Sequence, residues 1–270
     1  MFVTIITDCN DGNARNRLST RSAWLFDRPA TMVGVSDFNT PGNEEVEAAL
    51  NLVDTLDASQ GTNGVVLVNV ANRHGKGKKW PNGTPFGYFK YKDTWVVSTV
   101  DGQVLSLAKK LGISDHIMVT DIPTVLSKMV EIGVFPEEHK DRIINTQFRS
   151  YEYQPRLAKW LHDGIEIPAE RLDFSEISDL EPMIMLTDNF GNCVTSVLPE
   201  EIGHEVGKVI STPYGEITCY SRMKDVPNGE AALIVGSNGI DHQRLVVLTI
   251  QGKSAANTLG IFSGMPLLKS

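Results

Sequence analysis

Phe2-Val3-Thr4-Ile5-Ile6-Thr7-Asp8 opens the chain with an apolar, β-branched run that stops at a carboxylate. Runs of this length and composition read as strands covered on both faces, which belong to sheets with helices on each side. Four further runs repeat the pattern: Thr31 to Val35, Gly64 to Val70, Trp95 to Val100 and His116 to Thr120. Amphipathic stretches separate them. In one, Asn43 stands at a helix cap, Glu44 and Glu45 suit the positive helix start, and Val46, Ala49, Leu50, Val53 and Leu56 recur on one face. Another starts near Asp121, carries Pro123 in its first turn and stops at Gly133. Alternating strands and helices predict an α/β domain over residues 1–165, a largely parallel sheet flanked by helices.

Beyond Gly164 the pattern changes. Residues 166–181 are acidic and irregular and read as a linker. From 182 to 270 short apolar runs alternate with turn residues at Asn189 to Asn192, Pro213-Tyr214-Gly215, Pro227-Asn228-Gly229 and Ser237-Asn238-Gly239, which predicts a small antiparallel β-barrel domain. Two domains also match a length of 270 residues.

Composition narrows the function. No stretch approaches the roughly 18 uninterrupted apolar residues of a membrane span, and the opening segment lacks the basic lead and cleavage site of a signal peptide. Cys9, Cys193 and Cys219 are too few and too widely spaced for a disulfide framework, which fits the cytoplasm. The six histidines form no metal-ligand pattern, so no metal is expected. A net charge of −8 disfavours nucleic acid and anionic membranes as partners.

In an open α/β sheet, ligands sit beyond the carboxyl ends of the strands. Asp8 stands at the first such end, where a carboxylate accepts hydrogen bonds from the two hydroxyls of a ribose; a helix cap or solvated loop acid is the equal alternative. The loop Asn72-Arg73-His74-Gly75-Lys76-Gly77-Lys78 superficially resembles a phosphate cradle, but it completes no phosphate-binding motif and reads rather as a solvated basic turn. Thr99 to Gly102 and Phe148-Arg149-Ser150 are further polar segments near strand or helix ends. Asp188-Asn189-Phe190-Gly191-Asn192 places a carboxylate, an aromatic face and a carboxamide together, suited to an ammonium group or an adenine.

Taken in order, these pieces resemble the SAM hydroxide adenosyltransferase family, which also contains the SAM-dependent fluorinase and chlorinase. The resemblance rests on Thr7-Asp8, on Val35 to Glu45, on Gly64 to Gly75, on Phe148-Arg149-Ser150-Tyr151-Glu152 and, most specifically, on Asp188-x-Phe190-Gly191-Asn192 followed by Thr195-Ser196. Two further stretches, Ser237-Asn238-Gly239 and Gln251-Gly252-Lys253-Ser254-Ala255-Ala256, look like family segments that close over methionine and adenine.

The resemblance implies that S-adenosylmethionine is the substrate and that no separate cofactor is needed. Asp8 would hold the ribose, Asp188 and Asn192 the amino-acid end, with Phe148, Phe190, Ser237 and Ala255 completing the binding frame. Displacement at C5′ by water would give adenosine and L-methionine. The family's water-activating Asp, Arg and His fall here on Ala71 beside Asn72, near Lys78, and on Arg149, so Asn72, His74, Arg149 and Ser150 are the candidate catalytic residues. A halide-using halogenase and a non-catalytic adenosyl-binding protein are the alternatives. A homotrimer with its site at the subunit interface is also implied.

Overall fold

The computed structural model describes residues 1–37, 40–70 and 83–269. In chain order the first half contains β1 (Phe2–Thr7), α1 (Gly12–Phe26), β2 (Thr31–Gly34), α2 (Glu44–Ser59), β3 (Gly64–Asn69), β4 (Phe86–Tyr91), β5 (Thr94–Thr99), α3 (Ser106–Lys110), β6 (His116–Val119) and α4 (Ile122–Glu131). Then follow α5 (Lys140–Ile144), α6 (Arg149–Glu152), α7 (Gln154–His162) and β7 (Glu170–Asp173). The second half contains β8 (Ile184–Thr187), β9 (Cys193–Thr195), β10 (Val209–Thr212), β11 (Gly215–Cys219), β12 (Ala231–Ile240), β13 (Gln243–Ile250) and α8 (Ala255–Leu259).

The first sheet has seven strands in the order β2-β1-β3-β5-β4-β6-β7. Its β2-β1-β3-β5 portion is parallel, as the sequence indicates. Antiparallel strands extend it on one side, so the five expected strands become seven. The sequence reading missed β4, whose Gly87 and Lys90 interrupt the apolar run. It folds back on β5 through Lys92 and Asp93, with Lys92 in the left-handed region at φ 51. By inserting beside β5, β4 turns β6 into an antiparallel neighbour. The stretch 166–181, expected as a linker, contains β7, whose residues Glu170 to Asp173 pair with β6; the charged sequence ERLD hides an edge strand.

Helices α1, α4 and α7 bury Leu18, Leu126 and Leu157 with Ile5 and Leu67 on one face of this sheet. On the opposite face lies α2, whose Val46, Ala49, Leu50, Val53 and Leu56 are wholly buried against Ile6, Val66 and Val96. The other flank of α2 meets the second sheet through Met185, Val194, Ile240, Leu245 and Val247. Complete burial of an aliphatic side chain contributes about 1.5–3 kcal/mol, so α2 joins the two sheets through one continuous core. Its start is the expected one: the Asn43 side chain accepts from the amides of Glu45 (3.1 Å) and Val46 (3.4 Å). The helix expected from Asp121 is α4, with the Asp121 carboxylate accepting from the Thr124 amide at 3.1 Å.

The second sheet has the order β10-β11-β12-β13-β9-β8. It is antiparallel except that β11 and β12 run parallel, pairing Thr218 with Ala232 and Cys219 with Leu233, which corrects the all-antiparallel expectation. Ser237-Asn238-Gly239 is not the turn the sequence indicated but an irregularity inside β12; the turn itself falls at Asp241 and His242. That irregularity aims two donors at α2. Asn238 Nδ2 and the Gly239 amide donate to the Asp54 carboxylate at 2.6 and 2.9 Å. Burial pushes the Asp54 carboxyl up, and these two donors oppose the push. One turn along α2, Arg244 makes a two-pronged bond to Asp57 at 3.0 and 3.2 Å, holding that carboxyl below its ordinary value of 3.8. No helix among the described residues is long and apolar enough to cross a membrane.

Replacing Arg244 with Ala should lower unfolding stability by about 1–2 kcal/mol at neutral pH, the scale of a partly solvated charge-assisted pair. Because the folded carboxyl of Asp57 titrates below 3.8, its contribution is present above that pH and lost as pH falls through the depressed folded value. In urea titrations the gap between wild type and variant should therefore narrow in acid and widen above about pH 4, where the free carboxyl is already ionised, while the part due to the Arg244 bonds to the Ser237 and Gly239 carbonyls persists at all pH.

Candidate functional site

The parallel portion of the first sheet fixes where a ligand crevice forms. From β1 the chain moves to β2 on one side, and from β3, the neighbour of β1 on its other side, it moves on to β4 and β5 in the opposite direction. Strands whose outgoing connections diverge in this way leave a crevice between their ends, the general ligand position in open α/β sheets. Asp8 stands at that point. Its amide donates to the Asn69 carbonyl at 3.3 Å, and its carboxylate receives the Asn69 side-chain amide at 3.5 Å, the outer limit of a hydrogen bond. Asn69, at the end of β3, is nearly buried and also reaches Thr7 Oγ1 at 3.3 Å. It fixes the β1 end from the neighbouring strand, an arrangement the sequence reading missed because Asn69 closes an otherwise apolar run.

The backbone around Asp8 is tightly packed. The Asn10 side chain crosses the end of β2 so closely that a Cβ at Gly34 would lie 2.1 Å from its Nδ2. Asn10 is itself held by Arg15 Nη1 at 2.6 Å, and Asp11 caps α1 by accepting from the amides of Asn13 and Ala14. Asp8 is therefore not the cap of α1; Asp11 takes that role. At the same edge, Asp37 follows β2, Asp101 follows β5, and Glu45 at the start of α2 accepts from the Gln103 amide at 2.7 Å. Carboxylates thus stand along the edge where the parallel strands end.

Beside this crevice lies a cleft of about 620 Å³ between the two halves of the chain, lined by Ser36, Glu47, Thr187, Ala256, Phe262 and Ser263 among others. Glu47, buried on α2, accepts from the Ser36 amide and hydroxyl, both at 2.7 Å, and from the Ser263 hydroxyl. The Asn43 amide donates to that same Ser263 oxygen at 2.8 Å. This polar clasp ties the second half to the loop after β2.

The segment Asp188 to Asn192 borders the cleft through Thr187. Asp188 accepts from the Phe190 and Asn192 amides and from the Asn192 side chain, all at 2.9 Å. The Asn192 side-chain carbonyl oxygen accepts from Thr249 Oγ1 at 2.5 Å. Asp188 and Asn192 thus build the turn, while Phe190 stands 73% exposed and supplies the aromatic face. Gly191 has φ +83 and would place a Cβ 2.0 Å from Ser254 Oγ, so this turn and the start of α8 are in close contact. Ala255 is fully buried, and Ala256, beside it, donates its amide to the Gly191 carbonyl. Ser237 is exposed on β12, where its carbonyl accepts from Arg244 at 2.9 Å.

The Phe148 to Ser150 segment lies on the α1 face. Gln154, opening α7, donates to the Val68 and Val97 carbonyls at 2.9 Å and so anchors the segment near the ends of β3 and β5. Phe148 packs on Tyr151 beneath the Arg17 guanidinium. Ser150 is buried. Arg149 donates to the Thr84 carbonyl at 2.7 Å and lines a separate cleft of about 390 Å³ with Pro85, Thr120, Asp121, Pro168 and Glu170, where burial pulls its pKa down. Neither Asp8 nor Asn69 lines that cleft. Glu152 binds Arg21, Arg142 and Arg156. Asn72 and His74 lie outside the described residues.

No protein-family model matches the chain, and no curated protein matches it in sequence. Solved structures share its architecture, two of them as follows. The chain is similar to an uncharacterized conserved protein from Thermotoga maritima, with a TM-score of 0.63 and 15% identity over 96% of each chain. It is also similar to a conserved hypothetical protein from Thermus thermophilus, with a TM-score of 0.59 and 16% identity over 99% of each chain. The likeness is of fold. It spans both halves of the chain.

Gly34→Ala should displace the Asn10 side chain, which can swing away from the exposed end of β2, so the loss of stability should stay below about 1 kcal/mol. Thermal unfolding of the single variant and of the Gly34→Ala, Asn10→Gly double variant checks the cause: removing the Asn10 side chain should recover most of the loss.

Proposed function

We propose that the chain binds S-adenosylmethionine at the carboxyl edge of its parallel strands and cleaves it with water to adenosine and L-methionine. The observation that carries this reading is Asp8, at the topological crevice between β1 and β3 and steadied by Asn69. A carboxylate there accepts from both ribose hydroxyls. The surrounding Asp37, Asp101 and Glu45 favour a substrate that carries a sulfonium and an ammonium charge.

The chemistry asks little of acid–base groups. Water attacks C5′, the C5′–S bond breaks, its electron pair returns to sulfur to give neutral methionine, and the proton of the attacking water passes to solvent. What the protein supplies is alignment and a nucleophile freed of bulk water. Asp8 holds the ribose, Asp188 and Asn192 meet the amino-acid end, and Phe190 covers adenine, with Ser237 and Ala255 in the walls. Asn72, His74, Arg149 and Ser150 are the proposed water-orienting groups.

The proposal includes a homotrimer in which the second half of a neighbour completes the site. Phe190 and Phe262, 73% and 45% exposed near α8, support it as apolar surface that a partner covers. It also includes a barrel-like curl of the second sheet, supported by the irregular register of β12 between Val235 and Gly239, since bulges bend strands. Three free cysteines suit a cytoplasmic protein.

A second reading is favoured by Arg149, whose guanidinium is bound to Thr84 and faces a different cleft: a protein that binds the adenosyl group without turning it over. Chromatography of purified protein incubated with S-adenosylmethionine separates the two. Adenosine and methionine should appear in equal amounts, and Asp8→Ala should lower the rate at least about 100-fold, the scale of losing a charged hydrogen-bond acceptor at a positioned substrate. Saturable binding without adenosine would select the second reading.

A further inference from the structure

We propose that the face formed by α1, α5 and α7 carries a second binding site, for a dianionic phosphate group, centred on Arg21, Arg142 and Arg156. Three guanidiniums there share a single carboxylate, Glu152, at 2.9, 2.5 and 3.2 Å, an excess of two positive charges. Two of the three are largely out of water: the side chains of Arg21 and Arg156 are 13% and 9% exposed, as is Glu152 at 9%. Buried charge is costly unless paired, and one carboxylate cannot neutralise three cations. Burial together with neighbouring Arg21 pulls the Arg156 pKa down to about 10, the response of a guanidinium short of counter-charge.

The donors left over point to an external ligand. Every hydrogen bond from Arg156 to the described residues leaves from Nη1, to the Glu152 carbonyl and carboxylate, and the one from Arg142 also leaves from Nη1. Arg21 spends its second terminal nitrogen on the Tyr151 hydroxyl at 2.8 Å, which fixes its orientation. Arg142 is half exposed and opens the cluster to solvent. Above it stands Trp24, 69% exposed, with the Arg21 and Arg156 guanidiniums 5.6 and 5.7 Å from its ring, and Arg17 extends the positive edge over Phe148 and Tyr151. A phosphate close to its second ionisation carries nearly two negative charges at neutral pH and three acceptor oxygens, which match the charge excess and the unused donors better than a single carboxylate does. The exposed indole suits a phosphate ester whose other end is flat or apolar.

The cluster is built from side chains other than those assigned to the crevice at Asp8, and the proposal does not depend on the reading of that crevice. Calorimetric titration of the intact protein with inorganic phosphate, against acetate at matched ionic strength, tests it. Phosphate should bind saturably at one site per chain and at least tenfold more tightly than acetate. Arg142→Gln, at a half-exposed position, should weaken phosphate binding at least tenfold while circular dichroism stays unchanged, and Arg17→Gln, on the exposed edge, should weaken it by a smaller factor. No saturable phosphate binding by the wild type, equal affinity for acetate, or unchanged binding by a folded Arg142→Gln variant would each overturn the proposal.

Discussion

The burial of α2 between two sheets is the constraint on which the rest of the molecule depends. A helix with one apolar face would dock on a single sheet; α2 has two, with Val46, Ala48, Leu50, Leu52, Val53 and Leu56 all out of water. Its polar positions are used as deliberately. Glu47 accepts from Ser36 and Ser263, Asp54 from Asn238 and Gly239, and Asp57 from Arg244 and the Asp241 amide. Three carboxylates spaced along one helix thereby hold separate segments of the second half. Buried polar groups of this kind add little net stability when satisfied and cost much when broken, so their effect is to fix one orientation of the two sheets.

That orientation decides what can meet at the ligand edge. The same helix start that is capped by Asn43 also carries Glu45 to the loop after β5, and the Asn43 amide reaches Ser263 from the far half. The loop after β2 and the Thr187 end of β8, which leads into the Asp188 turn, consequently line a common cleft. Asp8 owes its position to a different cause. It is the residue at which a central buried strand must end, where β1 is flanked by β2 and β3 and the two outgoing loops part.

Much of this is written in the sequence. The run Phe2 to Thr7, the Asn43 cap with its apolar pattern, and the Asp121 start of α4 are governed by local rules, burial periodicity and cap chemistry, and the structure has them where those rules put them. The Asp8 position followed from β1 alone. What was not legible depends on pairing partners. Strand β4 has a glycine and a lysine in it and is a strand because β5 and β6 bracket it. Strand β7 is a charged four-residue segment that serves as an edge. Ser237 to Gly239 carries turn residues, yet its conformation is set by Asp54 across the core. Asn69 and Glu47 look like ordinary strand and helix residues until neighbours distant in sequence converge on them.

The role of Asp8 is best tested by comparing adenosine with 2′-deoxyadenosine as calorimetric ligands of the wild type and of Asp8→Asn. If the carboxylate holds the ribose, removing the 2′-hydroxyl should weaken wild-type binding by about 1.5–3 kcal/mol, the value of a hydrogen bond to a charged group, and should matter far less in the variant. Equal affinity of the wild type for both nucleosides, or no binding of either, would contradict a nucleoside site at the β1 end.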